Sequence, residues 1–122
     1  MLKKLRIQTQ ISSGENTLLY EGIIHTDGKR ICVREFGSNA DLCIDLFDDG
    51  MRIHRLASDI ETTLQLRESG TFGEIRGEEG AFELTDIRFL DYRNSDGKAL
   101  LRYSLGEEFL ISIEELGVTN VD

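Results

Sequence analysis

The sequence predicts an antiparallel all-β protein of about 8–10 short strands, and three observations predict it. Apolar and polar side chains alternate with a period of two, which sends them to opposite faces of an extended chain. Turn-forming residues recur about every eight to twelve positions, the spacing of a sandwich or barrel. No segment carries a clear apolar stripe of helical period; the best candidate, Ala57 to Arg67, is interrupted by β-branched Thr62 and Thr63 and reads as at most one helical turn.

Taken in order, strands are expected at 3–11, 18–26, 29–36, 42–48, 51–57, 61–67, 72–76, 81–91, 99–105 and 108–115. The first sets Leu5, Ile7, Thr9 and Ile11 on one face and Arg6, Gln8 and Gln10 on the other, and Ser13-Gly14 ends it. Asp27-Gly28 and Asp49-Gly50 read as type I′ hairpin turns, because such pairs tolerate the positive φ that both central positions need. Ser69-Gly70, Glu79-Gly80, Ser95-Asp96-Gly97 and Gly106 punctuate the second half. Within 81–91 the pair Phe82 and Leu84 has one parity and the pair Ile87 and Phe89 the other, so a β-bulge at Thr85-Asp86, or a strand end there, is expected. The last strand sets Phe109, Ile111 and Ile113 on its buried face. About ten strands are too many for one flat sheet, and without proline to blunt the edges a closed antiparallel barrel is the economical solution.

A chain of 122 residues suits one domain over 1–122. Fourteen basic residues against 23 acidic ones leave a formal charge of -9, which repels nucleic-acid phosphates and anionic membranes, so neither is expected as a partner. The opening Met1-Leu2-Lys3-Lys4-Leu5-Arg6 lacks the apolar run of a signal peptide, and no stretch approaches the ~20 apolar residues of a membrane helix. A cytoplasmic protein is expected.

The residues offer no GxSxG elbow and no HExxH, and Gly70-Thr71-Phe72-Gly73 lacks the Lys and helix of a phosphate loop. His25 and His54 fall on separate strands with flanks suited to a surface. Asp48-Asp49, Glu78-Glu79, Glu107-Glu108 and Glu114-Glu115 lack the spaced ligands of a calcium loop and read as solvated. No enzyme, cofactor or metal site is therefore expected. Cys32 and Cys43 are too few for a disulfide framework and are not spaced as a metal clip. Symmetric hairpins place Cys32 opposite Leu46 and Cys43 opposite Glu35, on different faces, so two buried free thiols are expected.

Two charges share a face with apolar neighbours. Met51 and Ile53 lead to Arg55, and Ile31 and Val33 lead to Glu35, which the Asp27-Gly28 turn would set opposite Tyr20. Such charges anchor the polar end of a ligand in a barrel, or form a structural ion pair, or reach water at a strand end. The symmetric register puts Arg55 on the Arg34 face, so an extra bulged residue is needed to bring it to Glu35. The segment Leu42-Cys43-Ile44-Asp45-Leu46, apolar on both faces, is the strand edge least protected by charge.

Four segments, Val33-Arg34-Glu35, Met51-Arg52-Ile53-His54-Arg55, Thr71-Phe72-Gly73-Glu74-Ile75 and Leu100-Leu101-Arg102-Tyr103-Ser104-Leu105, together resemble the YwiB-like family of small bacterial β-barrels, calycin-like in shape. The resemblance spans roughly residues 18–115 and matches the family pattern at Glu35, Arg55 and Tyr103, while Ala57 stands where that pattern has glycine. It implies a closed or nearly closed calycin-like barrel, and no reaction. The function expected is a cytoplasmic module that binds a small, partly apolar or anionic molecule through Arg55, Glu35, Tyr103 and Tyr20. The alternative is an interaction module for a protein partner or a second copy of itself, with no small-molecule ligand.

Overall fold

The structure is a computed structural model and describes residues 1–117. Among them are eleven strands and no helix: β1 Leu2–Ile11, β2 Asn16–His25, β3 Arg30–Arg34, β4 Asp41–Phe47, β5 Gly50–Ala57, β6 Ile60–Arg67, β7 Gly70–Gly77, β8 Gly80–Glu83, β9 Arg88–Ser95, β10 Lys98–Leu105 and β11 Glu107–Glu115. Ala57 to Arg67 is thus the end of one strand, a tight turn and the next strand. The strands form two antiparallel sheets, ordered β2-β1-β11-β10-β9 and β3-β4-β5-β6-β7-β8.

The six-stranded sheet is a meander, each strand pairing with the next in sequence, because two residues suffice to reverse an antiparallel chain. The turn between β4 and β5 is centred on Asp48-Asp49 rather than Asp49-Gly50, since Phe47 pairs with Gly50. Gly50 begins β5 at φ 154°, where a Cβ would run into the Leu66 carbonyl and the Arg67 Cα, so the glycine serves close strand packing.

Asp27-Gly28 makes no hairpin. It carries the chain from β2 in one sheet to β3 in the other, so Glu35 has no ladder partner in Tyr20. Asp27 Oδ1 accepts from the amides of Lys29 (2.8 Å) and Arg30 (3.0 Å), while the Thr26 hydroxyl accepts from Gly28 N and donates to the Arg30 carbonyl. These bonds satisfy a local loop and leave no turn geometry for strand pairing. The parity change at Thr85-Asp86 has the same cause: β8 ends at Glu83 in one sheet and β9 begins at Arg88 in the other. The register shifts elsewhere, with Leu19 left over opposite Ile7/Gln8 and Leu90 opposite Arg102/Tyr103.

The β3–β4 register also departs from the symmetric one. Glu35 N donates to the Ala40 carbonyl at 2.8 Å, and Gly37 and Asn39, at φ 80° and 58°, close the loop. Cys32 then pairs with Cys43 rather than with Leu46. The cysteines form a disulfide with Cα atoms 4.1 Å apart, which corrects the expectation of buried free thiols. Cys32 is exposed and Cys43 half-buried, on the outer face. β4 lies inside the sheet between β3 and β5, so Leu42 to Leu46 is no free edge; its apolar character on both faces belongs to a central strand.

Leu5, Ile7, Leu101, Ile111 and Ile113 of one sheet and Ile31, Leu42, Ile44, Met51, Ile53 and Leu66 of the other form one buried cluster. Hydrogen bonds close neither sheet on itself among the described residues. The β2 and β3 edges meet at one corner, where Phe36 N donates to the Leu19 carbonyl at 2.8 Å. Among the described residues no helix is long and apolar enough to cross a membrane.

Leu101 is fully buried at the centre of β10, so Leu101→Ala should lower the unfolding free energy by about 2–5 kcal/mol. Leu18, 42% exposed, is the control, and its alanine variant should stay within about 0.5 kcal/mol of the parent in urea unfolding.

Candidate functional site

One transverse row of the six-stranded sheet carries the candidate site. Val33, Leu42, Arg55, Thr62, Ile75 and Phe82 follow one another across β3 to β8 on the face that builds the core. The row is half-buried at Val33 and buried at Leu42 and ends exposed at Phe82, 58% accessible, with Ile60 exposed on the next row of that face. Core-facing apolar surface thus runs out into solvent at the β8 end.

Arg55 and Glu35 meet at the other end of this row without an extra bulged residue. The odd shift of the β3–β4 register brings Arg55 to the Glu35 face. Arg55 Nε donates to Glu35 Oε2 at 2.7 Å and Nη2 donates to Oε1 at 3.0 Å, a two-pronged pair. The Ser38 hydroxyl adds a third bond to Oε1 at 3.0 Å. The Glu35 side chain is 3% exposed and that of Arg55 39%, so the carboxylate is buried and the guanidinium forms its lid. Its bond to Glu35 raises the Arg55 pKa further above the ordinary value, against the opposing effect of burial.

The two tyrosines stand apart from each other. Tyr20 packs on Phe36, the neighbour of Glu35, with ring centroids 5.4 Å apart and planes at 43°, and its hydroxyl lies where a Cβ on Gly22 would sit. Tyr103 stacks on Phe109 in the five-stranded sheet at 5.1 Å and 13°. No hydrogen bond joins Tyr103 to Glu35 or Arg55 among the described residues. Burial pushes its hydroxyl pKa up to about 12 from the ordinary 10.0.

Hollows lie elsewhere. One of about 190 Å³ opens between the sheets, floored by Leu5, Ile31 and Ala99 and rimmed by Lys3, Lys98 and Glu115. It is smaller than the ~300–1,000 Å³ of ordinary ligand pockets, and both ammonium groups are paired, Lys3 with Glu115 and Lys98 with Glu114. Another, about 420 Å³, lies beside Cys32 and Arg30. Arg55, Glu35, Tyr20 and Tyr103 line neither of them.

His25 is exposed, and His54 sits 3.5 Å from Glu61. No three His, Cys, Asp or Glu side chains converge as a metal site needs among the described residues. Sequence reasoning missed the exposed β8 edge and the disulfide. The run Glu78-Glu79-Gly80 marks the first as a charged boundary, whereas only the register reveals the second. Comparison of the chain with protein-family models, curated proteins and solved structures found no match.

Removing one partner of a buried pair strands the other charge. Arg55→Ala should therefore cost about 2–3 kcal/mol, below the ~3–5 kcal/mol of fully buried pairs because solvent reaches the guanidinium. An unchanged urea midpoint would show that the pair is energetically idle. For Tyr103 the folded-state pKa is raised, so its contribution is complete below pH 10.0 and fades as pH rises through about 12. Tyr103→Phe should consequently lose less stability than the parent over that alkaline window, measured by thermal melts at stepped pH.

Proposed function

We propose that this protein is a non-enzymatic binding module that takes an extended segment of another protein on the edge of β8. One observation carries the reading: all four β8 residues are exposed, and among the described residues β8 is paired with β7 alone. An unpaired edge offers main-chain donors and acceptors to an added strand, and side-chain pockets give the specificity. Phe82, Ile75 and Ile60 would supply apolar contact on one face, while Glu83 stands on the other face and Glu78 and Glu79 in the turn before β8; Glu74, opposite Glu83, is paired with Arg76 at 3.0 Å. The partner segment is accordingly one that alternates basic and apolar residues. A second copy adding its own β8 would set acidic side chains against acidic ones, so this edge disfavours self-pairing.

In this reading the two sheets make a nearly closed, calycin-like barrel, sewn at the β2–β3 corner and open between β8 and β9. The YwiB-like resemblance and the cytoplasmic setting belong to the same proposal. A small partly apolar anion is the second reading; it ranks below the strand edge because the cations that would anchor it are engaged, Arg55 by Glu35 and Lys3 and Lys98 of the inter-sheet hollow by Glu115 and Glu114.

Fluorescence anisotropy with a labelled peptide of alternating Lys and Val, against one of alternating Glu and Val, tests the proposal. The basic peptide should bind and the acidic one should not. Phe82→Ser, which leaves the charge unchanged, should weaken binding roughly tenfold, as loss of a central aromatic contact does. Equal affinity of parent and variant would reduce the binding to unspecific attraction by the acidic surface and remove the β8 site.

A further inference from the structure

On the outer face of β3 and β4 three cross-strand pairs stand in a ladder: Arg30 with Asp45 at 3.4 Å, Cys32 with Cys43, and Arg34 with Asp41 at 3.2 Å. The two sulfurs thus have opposite surroundings. Cys32 lies on the edge strand, exposed, with arginines two residues to either side on its own face. Cys43 is half-buried between Asp41 and Asp45, with His54 as its neighbour on β5 and Glu61 beyond that histidine. Arg52, on β5, pairs in register with Asp45. Cationic neighbours stabilise a thiolate and anionic ones oppose it.

We infer that Cys32 and Cys43 form a reversible dithiol–disulfide site at which Cys32 exchanges with a low-molecular-weight thiol bearing carboxylates. The hollow of about 420 Å³ beside Cys32, lined also by His25, Thr26, Asp27 and Arg30, is where the body of such a thiol fits. Among the described residues Asp27 is the one carboxylate lining it, and its acceptor oxygen is turned to the amides of Lys29 and Arg30, which hold its pKa below the usual carboxylate value.

The chemistry balances as two exchanges. An external thiolate attacks the Cys32 sulfur; the Cys32–Cys43 bond breaks, its electron pair stays on Cys43, and that thiolate takes a proton from solvent. A second external thiolate attacks the external sulfur of the mixed disulfide and releases Cys32 as a thiolate beside Arg30 and Arg34. Two external thiols are oxidised to their disulfide, and the cystine is reduced to two cysteines. Low-molecular-weight disulfide runs the sequence backwards.

Reduced glutathione is the probe, with 2-mercaptoethanol as the neutral comparison. The disulfide of the whole chain should open in glutathione while circular dichroism stays native. In Cys43→Ser, treated with oxidised glutathione, the adduct should form on Cys32, and faster than on Cys43 in Cys32→Ser. Changing both Arg30→Gln and Arg34→Gln should slow glutathione about two- to fivefold, the size of effect that exposed charge pairs produce, and slow 2-mercaptoethanol, which brings no carboxylate, less. A disulfide that opens only when the protein unfolds, an adduct that forms faster on Cys43, or rates blind to the two arginines would overturn the assignment.

Discussion

The register between β3 and β4 governs much of what the six-stranded sheet can do. It is set where Glu35 N bonds the Ala40 carbonyl, in a loop that Gly37 and Asn39 close with positive φ. A strand alternates its side chains with a period of two, so a shift by an odd number of residues exchanges the two faces. This one closure aligns Ile31 with Ile44 and Val33 with Leu42 on the core face. On the outer face it creates the Cys32–Cys43 pair between two salt bridges. It also carries Arg55 to the Glu35 side and so builds the buried ion pair.

Burial explains why that pair is held so completely. A carboxylate with 3% of its surface exposed has lost its water, and two guanidinium donors with one hydroxyl replace it. The pair ties the β3–β4 loop to β5, and Phe36, next in the chain, ties the same loop to β2 through a main-chain bond and the Tyr20 ring. The corner between the sheets is therefore assembled from polar contacts laid over an apolar core. At the far edge nothing equivalent covers Phe82 among the described residues, and Glu78, Glu79 and Glu83 lie close to it along the chain. The two edges of the six-stranded sheet thus differ in kind: one is stapled and joined to its neighbour, the other is open and charged.

Much of the local structure was legible in the residues. The faces Leu5-Ile7, Met51-Ile53 and Ile111-Ile113 are buried as the alternation predicts, because that pattern depends only on adjacent residues. Both inward charges, Arg55 and Glu35, lie on the apolar face where their parity puts them. The parity change after Leu84 was visible too, but alternation cannot tell a bulge from a passage between sheets. Asp27-Gly28 shows a similar limit: Asp27 can serve a hairpin or bind its own following amides, and the side-chain bonds to Lys29 and Arg30 select the second.

The sequence by itself determined that the chain is all-β, which residues within a strand share a face and that charged turns separate short strands, since these follow from the order of neighbouring side chains. Only the tertiary structure decided that the strands divide into two sheets, that β4 is central and β8 an edge, and that Cys32 meets Cys43. Those are properties of residues distant along the chain, and they turn on loop closures whose length the sequence shows but whose register it does not. A single odd step in one loop is enough to turn two expected buried thiols into a disulfide on the outer face.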